Sequence, residues 1–331
     1  MNKSTGLALL YGLASAVPLL IALSAPGGVP FMLLVPLPLF LSGLSMGPSA
    51  ATVSAVTACL ALSLMVVVTV AQISGSLAIA VADGAGMFIG TAITLGVPVT
   101  ILVRQALLSR TTADGSVEWY PAGPLVVWLT GIGVLMLGFS LLSFLLFAAG
   151  PSLEAVFTDQ LAEALRLMLP EAEDPQLQEA ATAAAQIGLG AGLDSWLMVI
   201  AANGILAQGV LRRFGRNLRP APDITALALP HWLGLALAAT ALVALLATGD
   251  LGFVARSLLI VLLLPYFFAG LAVVHAACRN RGARAILLIV FYLILVMFAW
   301  LAALVAGLGL LDQTFDLRRR LLAAKGEREN E

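Results

Sequence analysis

The chain has 331 residues, 61% of them in the set AVILMFWYC and only 11% charged, with a formal net charge of −1. Soluble domains carry about 25% charge, so this composition excludes a soluble enzyme and a disordered chain. The near-zero net charge also gives no general attraction to nucleic acid or to anionic lipid. A membrane span takes about twenty apolar residues, and backbone polar groups in lipid must pair within their own segment. The composition therefore predicts an all-α, polytopic transmembrane helix bundle of about 8–9 spans.

Hydropathy marks segments at about 6–25, 29–46, 49–71, 76–103, 123–149, 187–210, 231–248, 253–277 and 285–309. The first has the charge and apolar core of a signal peptide, but Ala-Pro after Ser24 is a poor cleavage site, so it reads as a retained span. Pro30, Pro36 and Pro38 predict a second segment that is short, tilted or broken. Gly47-Pro48 makes a tight joint into the third, with Pro in the first helical turn. Between the fifth and sixth segments lies an acidic stretch, 151–187, in which Arg166 is the one basic residue. Leu153, Val156, Phe157, Leu161, Leu165 and Met168 recur there at helical spacing, predicting an amphipathic helix up to Pro170. Asp174-Pro175 is a start signal for a second helix that runs into the sixth span. The expected organisation is one transmembrane domain over 1–311, carrying the external segment 151–187, then a charged tail over 312–331.

Arginine sets the orientation. Lys3 and the basic residues of loops 104–122, 211–230 and 278–284 fall on one face of a nine-span chain. The positive-inside rule puts that face in the cytoplasm. The opposite face holds Arg166, Arg256 and the tail's Arg318, Arg319, Arg320, Lys325 and Arg328. The tail's charge contradicts that side, so either the tail is an exception or the last segment does not cross fully.

Gly43-Leu44-Ser45-Met46-Gly47 matches the G-x-S-x-G nucleophile elbow, but that motif needs a strand-to-helix turn and a nearby histidine. Here it joins two helices, and the chain's two histidines, His231 and His275, both lie near predicted helix ends. Cys59 and Cys278 match no metal-ligand spacing, and Walker and HExxH motifs are absent. No catalytic residue, metal or cofactor is expected. Small residues recur every fourth position at Ala8, Gly12 and Ala16, at Ala82, Gly86 and Gly90, and at Ala184, Gly188 and Gly192. Such rows let helices pack closely within the bundle, or dock a partner membrane protein. Ionisable residues inside apolar runs each cost about 2.5–3.5 kcal/mol at a helix centre, which singles out Asp83, Asp194 and Arg256. In the nine-span reading all three lie about 6–11 Å from the outer boundary. They are expected to converge, either as an ion pair stapling the bundle or as an outward-facing substrate pocket. Asn203, Gln208 and His275 lie deeper and are expected to hydrogen-bond between helices.

The closing stretch, Gly307-Leu-Gly309-Leu-Leu-Asp312-Gln-Thr-Phe315-Asp316-Leu-Arg318, resembles the G-x-x-D-x-x-F-D-x-R pattern of the YybS-like family of bacterial membrane proteins, domain of unknown function 2232. Pro36-Leu-Pro38-Leu-Phe followed by Gly47, the stretch Asp223 to Trp232, and Ala269-Gly270-Leu-Ala-Val-Val are similar to it as well. The resemblance implies a multi-pass protein of the bacterial cytoplasmic membrane. It also implies distant similarity to the S components of energy-coupling-factor transporters and to the cell-shape protein MreD, with an S-component-like N-terminal part. By that analogy Ala8, Gly12 and Ala16 on the first helix dock a partner. Two functions follow: a transport-related protein binding a small solute of unknown identity, or a non-transporting scaffold that recruits envelope or division proteins. The expected partners are the lipid bilayer, a second membrane protein and that solute, and no nucleic acid.

Overall fold

Apolar runs with no water to satisfy their backbone close their hydrogen bonds internally, and this chain does so as helices almost throughout. The structure, a computed structural model, describes residues 3–24, 28–147, 152–279 and 281–320. Its helices are α1 (Lys3–Ala14), α2 (Ala16–Ser24), α3 (Leu37–Met46), α4 (Pro48–Ser74), α5 (Leu77–Thr91), α6 (Val97–Ala106), α7 (Ala122–Phe147), α8 (Leu153–Met168), α9 (Asp174–Arg213), α10 (Trp232–Leu246), α11 (Gly249–Cys278), α12 (Arg284–Met297) and α13 (Leu301–Phe315). Among the described residues six stretches are long and apolar enough to cross a membrane: Lys3–Ala22, Pro48–Ser74, Leu77–Ala106, Ala122–Leu146, Asp174–Arg213 and Gly249–Cys278. The protein is a multi-pass helical bundle. Its contacts divide it into two compact units, Met1–Pro121 with Trp196–Pro222, and Ala122–Ser195 with Asp223–Glu331. The long helix α9 contributes to both.

In the first unit, prolines set the breaks. Pro30 opens a short 3-10 stretch over Val29–Leu34, and Pro36 caps α3. Gly47 takes φ +101°, which glycine tolerates, and passes the chain into α4 at Pro48. Further on, Pro98 brings no N–H for the carbonyl of Thr94, four residues back. The chain answers with a π turn over Ala92–Gly96, and the Thr94 carbonyl accepts a hydrogen bond from the Trp196 indole at 2.7 Å. The loop after α6 folds into a hairpin that hydropathy gives no sign of, β1 (Ser109–Thr111) against β2 (Val117–Trp119). Arg110 pairs with Glu118 across it at 2.7 Å. At its turn the Thr112 hydroxyl, then the Ser116 backbone and hydroxyl, hold the Asp114 carboxyl down at about 2.

In the second unit α11 is the central element, with 67% of the residues in its most apolar stretch buried and Phe253, Leu264 and Tyr266 fully enclosed. Helices α7, α8, α10 and α13 pack around it. The acidic segment behaves as its spacing predicts. Ser152 caps α8 by accepting from the Ala155 N–H, and α9 begins at Asp174-Pro175. Pro151 lies outside the described residues. The last hydropathic segment is not one helix. It breaks between Met297 and Leu301 into α12, 14 residues, and α13, 15 residues. At 1.5 Å per residue each is about 21–23 Å long, short of a hydrocarbon core of about 30 Å.

Candidate functional site

The intramembrane charges are held in different surroundings. Asp83 belongs to the first unit, on an exposed face of α5. Asp194 and Arg256 belong to the second. Among the described residues Arg256 makes no ion pair with Asp194 of its own unit. Its Nη2 lies 3.6 Å from the Glu154 carboxylate, each side chain being a little under a third exposed. The Gln186 amide donates to the other Glu154 oxygen. The Leu153 N–H donates to the Asp250 carboxylate at 2.9 Å, and the Phe157 and Phe253 rings meet at 5.9 Å. Together they seat α8 on the start of α11. Glu154 was hidden in the sequence because a carboxylate in a charge-rich stretch usually faces water. The tertiary contact of α8 with α11 turns it into the partner of Arg256. Among the described residues Arg256 Nε and Asp194 Oδ1 find no hydrogen-bond partner.

The small-residue rows divide as well. Ala8 and Gly12 are buried, and a Cβ on Gly12 would meet the Ser54 carbonyl and Thr57 of α4, so this face is filled from within the chain. Ala16 lies past the break at Ser15, at the start of α2 and half-buried. On α5 the packed positions are Ala80 and Gly84, whose carbonyl accepts from the Ser63 hydroxyl at 2.7 Å. The row read from sequence is turned away: Gly86 and Gly90 have open space where a Cβ would go, and Ala82 and Asp83 beside them are exposed. On α9, Gly188 touches Phe157, while Ala184 and Gly192 are exposed.

Other motif residues are structural in their contacts. Ser45 donates to the Leu41 and Ser42 carbonyls of its own helix, and Gly43 packs against Val103 and Ala51. Asn203 donates to the Leu33 carbonyl at 2.7 Å, and Gln208 to the Arg219 carbonyl at 2.7 Å. His275 Nε2 lies 2.9 Å from the Tyr292 hydroxyl. Arg219, one of four arginines in its loop, is 5% exposed, donates to backbone carbonyls and lies over the Trp119 ring at 5.8 Å. Its Nη1 donates at 2.6 Å to Ala106, at the C-terminus of α6, where the helix dipole favours a cation. Burial pushes this guanidinium below its ordinary pKa.

The closing motif is a helix-end lock. Gly309 lets α13 cross α11 at Tyr266 and Gly270. Phe315 ends the helix, and Asp316 takes φ +51° as its left-handed cap. The chain then turns back, and Arg318 donates to the buried Asp312 carboxylate from both its backbone N–H, at 2.9 Å, and Nε, at 2.6 Å. Arg318 Nη1 reaches the Thr225 carbonyl at 3.2 Å. The nearby Asp223 carboxyl is held low, first by Thr225 hydrogen bonds and last by the charge of Arg279. The start of the tail therefore lies beside residues 223–225 of its own unit. Of the two alternatives for the tail, the contacts support an incomplete last crossing. Lys325 and Arg328 lie outside the described residues.

Cavities of about 250, 330 and 650 Å³ lie between α11, α12 and α13, against the hairpin, and along the start of α9. Asp83, Asp194 and Arg256 line none of these three.

Fold and contacts together define a multi-pass membrane protein whose second unit is built on α11. Residues 172–313 match the family described as "Predicted membrane protein (DUF2232)". The match takes in α9 to α13 as far as Gly309 and Asp312 of the closing motif, and is less than half of the chain. No curated protein and no solved structure matches the chain.

Proposed function

We propose that the protein is a non-transporting, MreD-like scaffold of the bacterial cytoplasmic membrane, as the resemblance to the YybS-like family implies, with no catalytic role of its own. The observation that carries this reading is the outward face of α5. Asp83, Gly86 and Gly90 fall at i, i+3 and i+7, one face of the helix, and that face is uncovered. A carboxylate facing lipid there is costly, and bare glycines admit a second backbone closely. The occupant that meets both conditions is a transmembrane helix of another protein, carrying Lys or Arg opposite Asp83. The first-helix row, filled by α4, is not the docking face in this reading.

Photo-cross-linking from benzoylphenylalanine at Gly86, in native membranes, tests it. An adduct heavier by the mass of a protein is expected, retained with Asp83→Glu and lost with Asp83→Ala. Adducts to lipid alone, or protein adducts indifferent to Asp83→Ala, would overturn the scaffold.

A second reading, transport of a small solute, draws support from the unpartnered Asp194 Oδ1 and Arg256 Nε, which a bound polar solute would satisfy. It predicts a small molecule that co-purifies in mild detergent and is lost with Asp194→Asn. Mass spectrometry of the purified protein separates the two readings.

A further inference from the structure

Helix α12 has no buried residue among its 14, and the ring contact and hydrogen bond of His275 with Tyr292 tie it to α11. It stands off the bundle, and the space beneath it is an apolar slot of about 250 Å³. Val274 of α11, Phe291 and Ile294 of α12, and Leu301, Leu304 and Leu308 of α13 line that slot. A helix about 10–12 Å across does not fit so narrow a space, but an extended hydrocarbon chain does.

The chain between α11 and α12 supplies charge. Arg279, Arg281 and Arg284 are all exposed there. Arg279 lies within electrostatic reach of Asp223. Among the described residues Arg281 and Arg284 make no ion pair and no side-chain hydrogen bond. Arg284 precedes Phe291 by seven residues on the same helix, about 10 Å along the axis. A positive mouth thus opens onto an apolar slot within the length of one lipid. By the positive-inside rule this mouth faces the cytoplasmic leaflet, where anionic lipids reside.

We propose that this slot is a binding site for one anionic phospholipid, its phosphate held by Arg281 and Arg284 and one acyl chain lying between α12 and α13. The site is independent of the α5 face and holds whether the protein is a scaffold or a transporter. The lipid fills the space that leaves α12 without packing, so it acts as a wedge fixing α12 against α11 and α13.

The test uses the full chain in mild detergent, reading the thermal midpoint against added phosphatidylglycerol, phosphatidylcholine of the same acyl chains, and inorganic phosphate. Phosphatidylglycerol is expected to raise the midpoint at concentrations where the other two do nothing. Each arginine near an anionic headgroup contributes a factor of about five in affinity. R281Q with R284Q should therefore shift the phosphatidylglycerol titration by about 25-fold. Leu304 is 60% exposed and Ile294 43%, so L304W and I294W fill the slot without entering the core. Both should retain the lipid-free midpoint and lose the response with the arginines intact. Equal effects of the two lipids, an equal effect of inorganic phosphate, or a response indifferent to either set of variants would overturn the site.

Discussion

Buried and part-exposed charge pairs differ in what they contribute, and the second unit holds both kinds. Arg318 and Asp312 are 16% and 4% exposed at the side chain, so deleting one leaves the other charge uncompensated, at a cost of about 3–5 kcal/mol. Arg256 and Glu154, at 29% and 28%, keep enough solvent that their coupling is expected at about 1 kcal/mol or less. Thermal unfolding in detergent of Arg318→Met, Asp312→Asn and the double variant measures the first coupling, and the same cycle with Arg256→Met and Glu154→Gln the second. The double variant at 312 and 318 should be more stable than the two single effects summed. Strict additivity there would mean that the motif pair carries no mutual energy. The residues of the closing motif were legible in the sequence. What each does was not, because a buried pair and a solvated pair read alike as letters.

Glycine placement decides between helix faces. A Cβ on Gly270 would fall on the Val305 carbonyl, and one on Gly309 on the Tyr266 carbonyl, while Gly90 has open space. Overpacking of a tight contact costs about 1–3 kcal/mol and more when the obstacle is backbone. Gly309→Ala is therefore expected to lower the thermal midpoint and the monodisperse yield, and Gly90→Ala to leave both unchanged in detergent. A Gly90→Ala protein as impaired as Gly309→Ala would show that α5 packs its other face. The four-residue row marked all three candidate helices equally in the sequence. Helical rotation then turned the α1 row inward and the α5 row outward, which spacing cannot foresee because it fixes a face and not its neighbour.

Across the whole molecule, the contacts of Arg318 change the charge balance of the topology. Arg318 holds the start of the tail beside Thr225, so Arg318, Arg319 and Arg320 fall with the basic loop residues Arg279, Arg281 and Arg284 of the same unit, as a last segment that does not cross fully requires. Cysteines at Ser116, Glu171 and Arg320, in a chain with Cys59 and Cys278 replaced by Ala, report this directly. An impermeant maleimide should label Glu171→Cys in intact spheroplasts, and label Ser116→Cys and Arg320→Cys only after lysis. Labelling of Arg320→Cys together with Glu171→Cys would restore a full ninth crossing.

The sequence by itself determined that the protein is a membrane helix bundle, because lipid leaves the backbone no other way to pair its polar groups and apolar content alone marks such segments. It also placed α8 and the start of α9, where caps, prolines and helical spacing are local signals. The tertiary structure decided the rest. Prolines foretold that the second segment would break, but an unbroken apolar run gave no hint that the last would split between Met297 and Leu301. Glu154 became the partner of Arg256 only once α8 lay against α11, and Arg219 was separated from its neighbouring arginines only by the carbonyls that close around it. Pairing, burial and facing are properties of two elements at once, and one-dimensional patterning specifies each element alone.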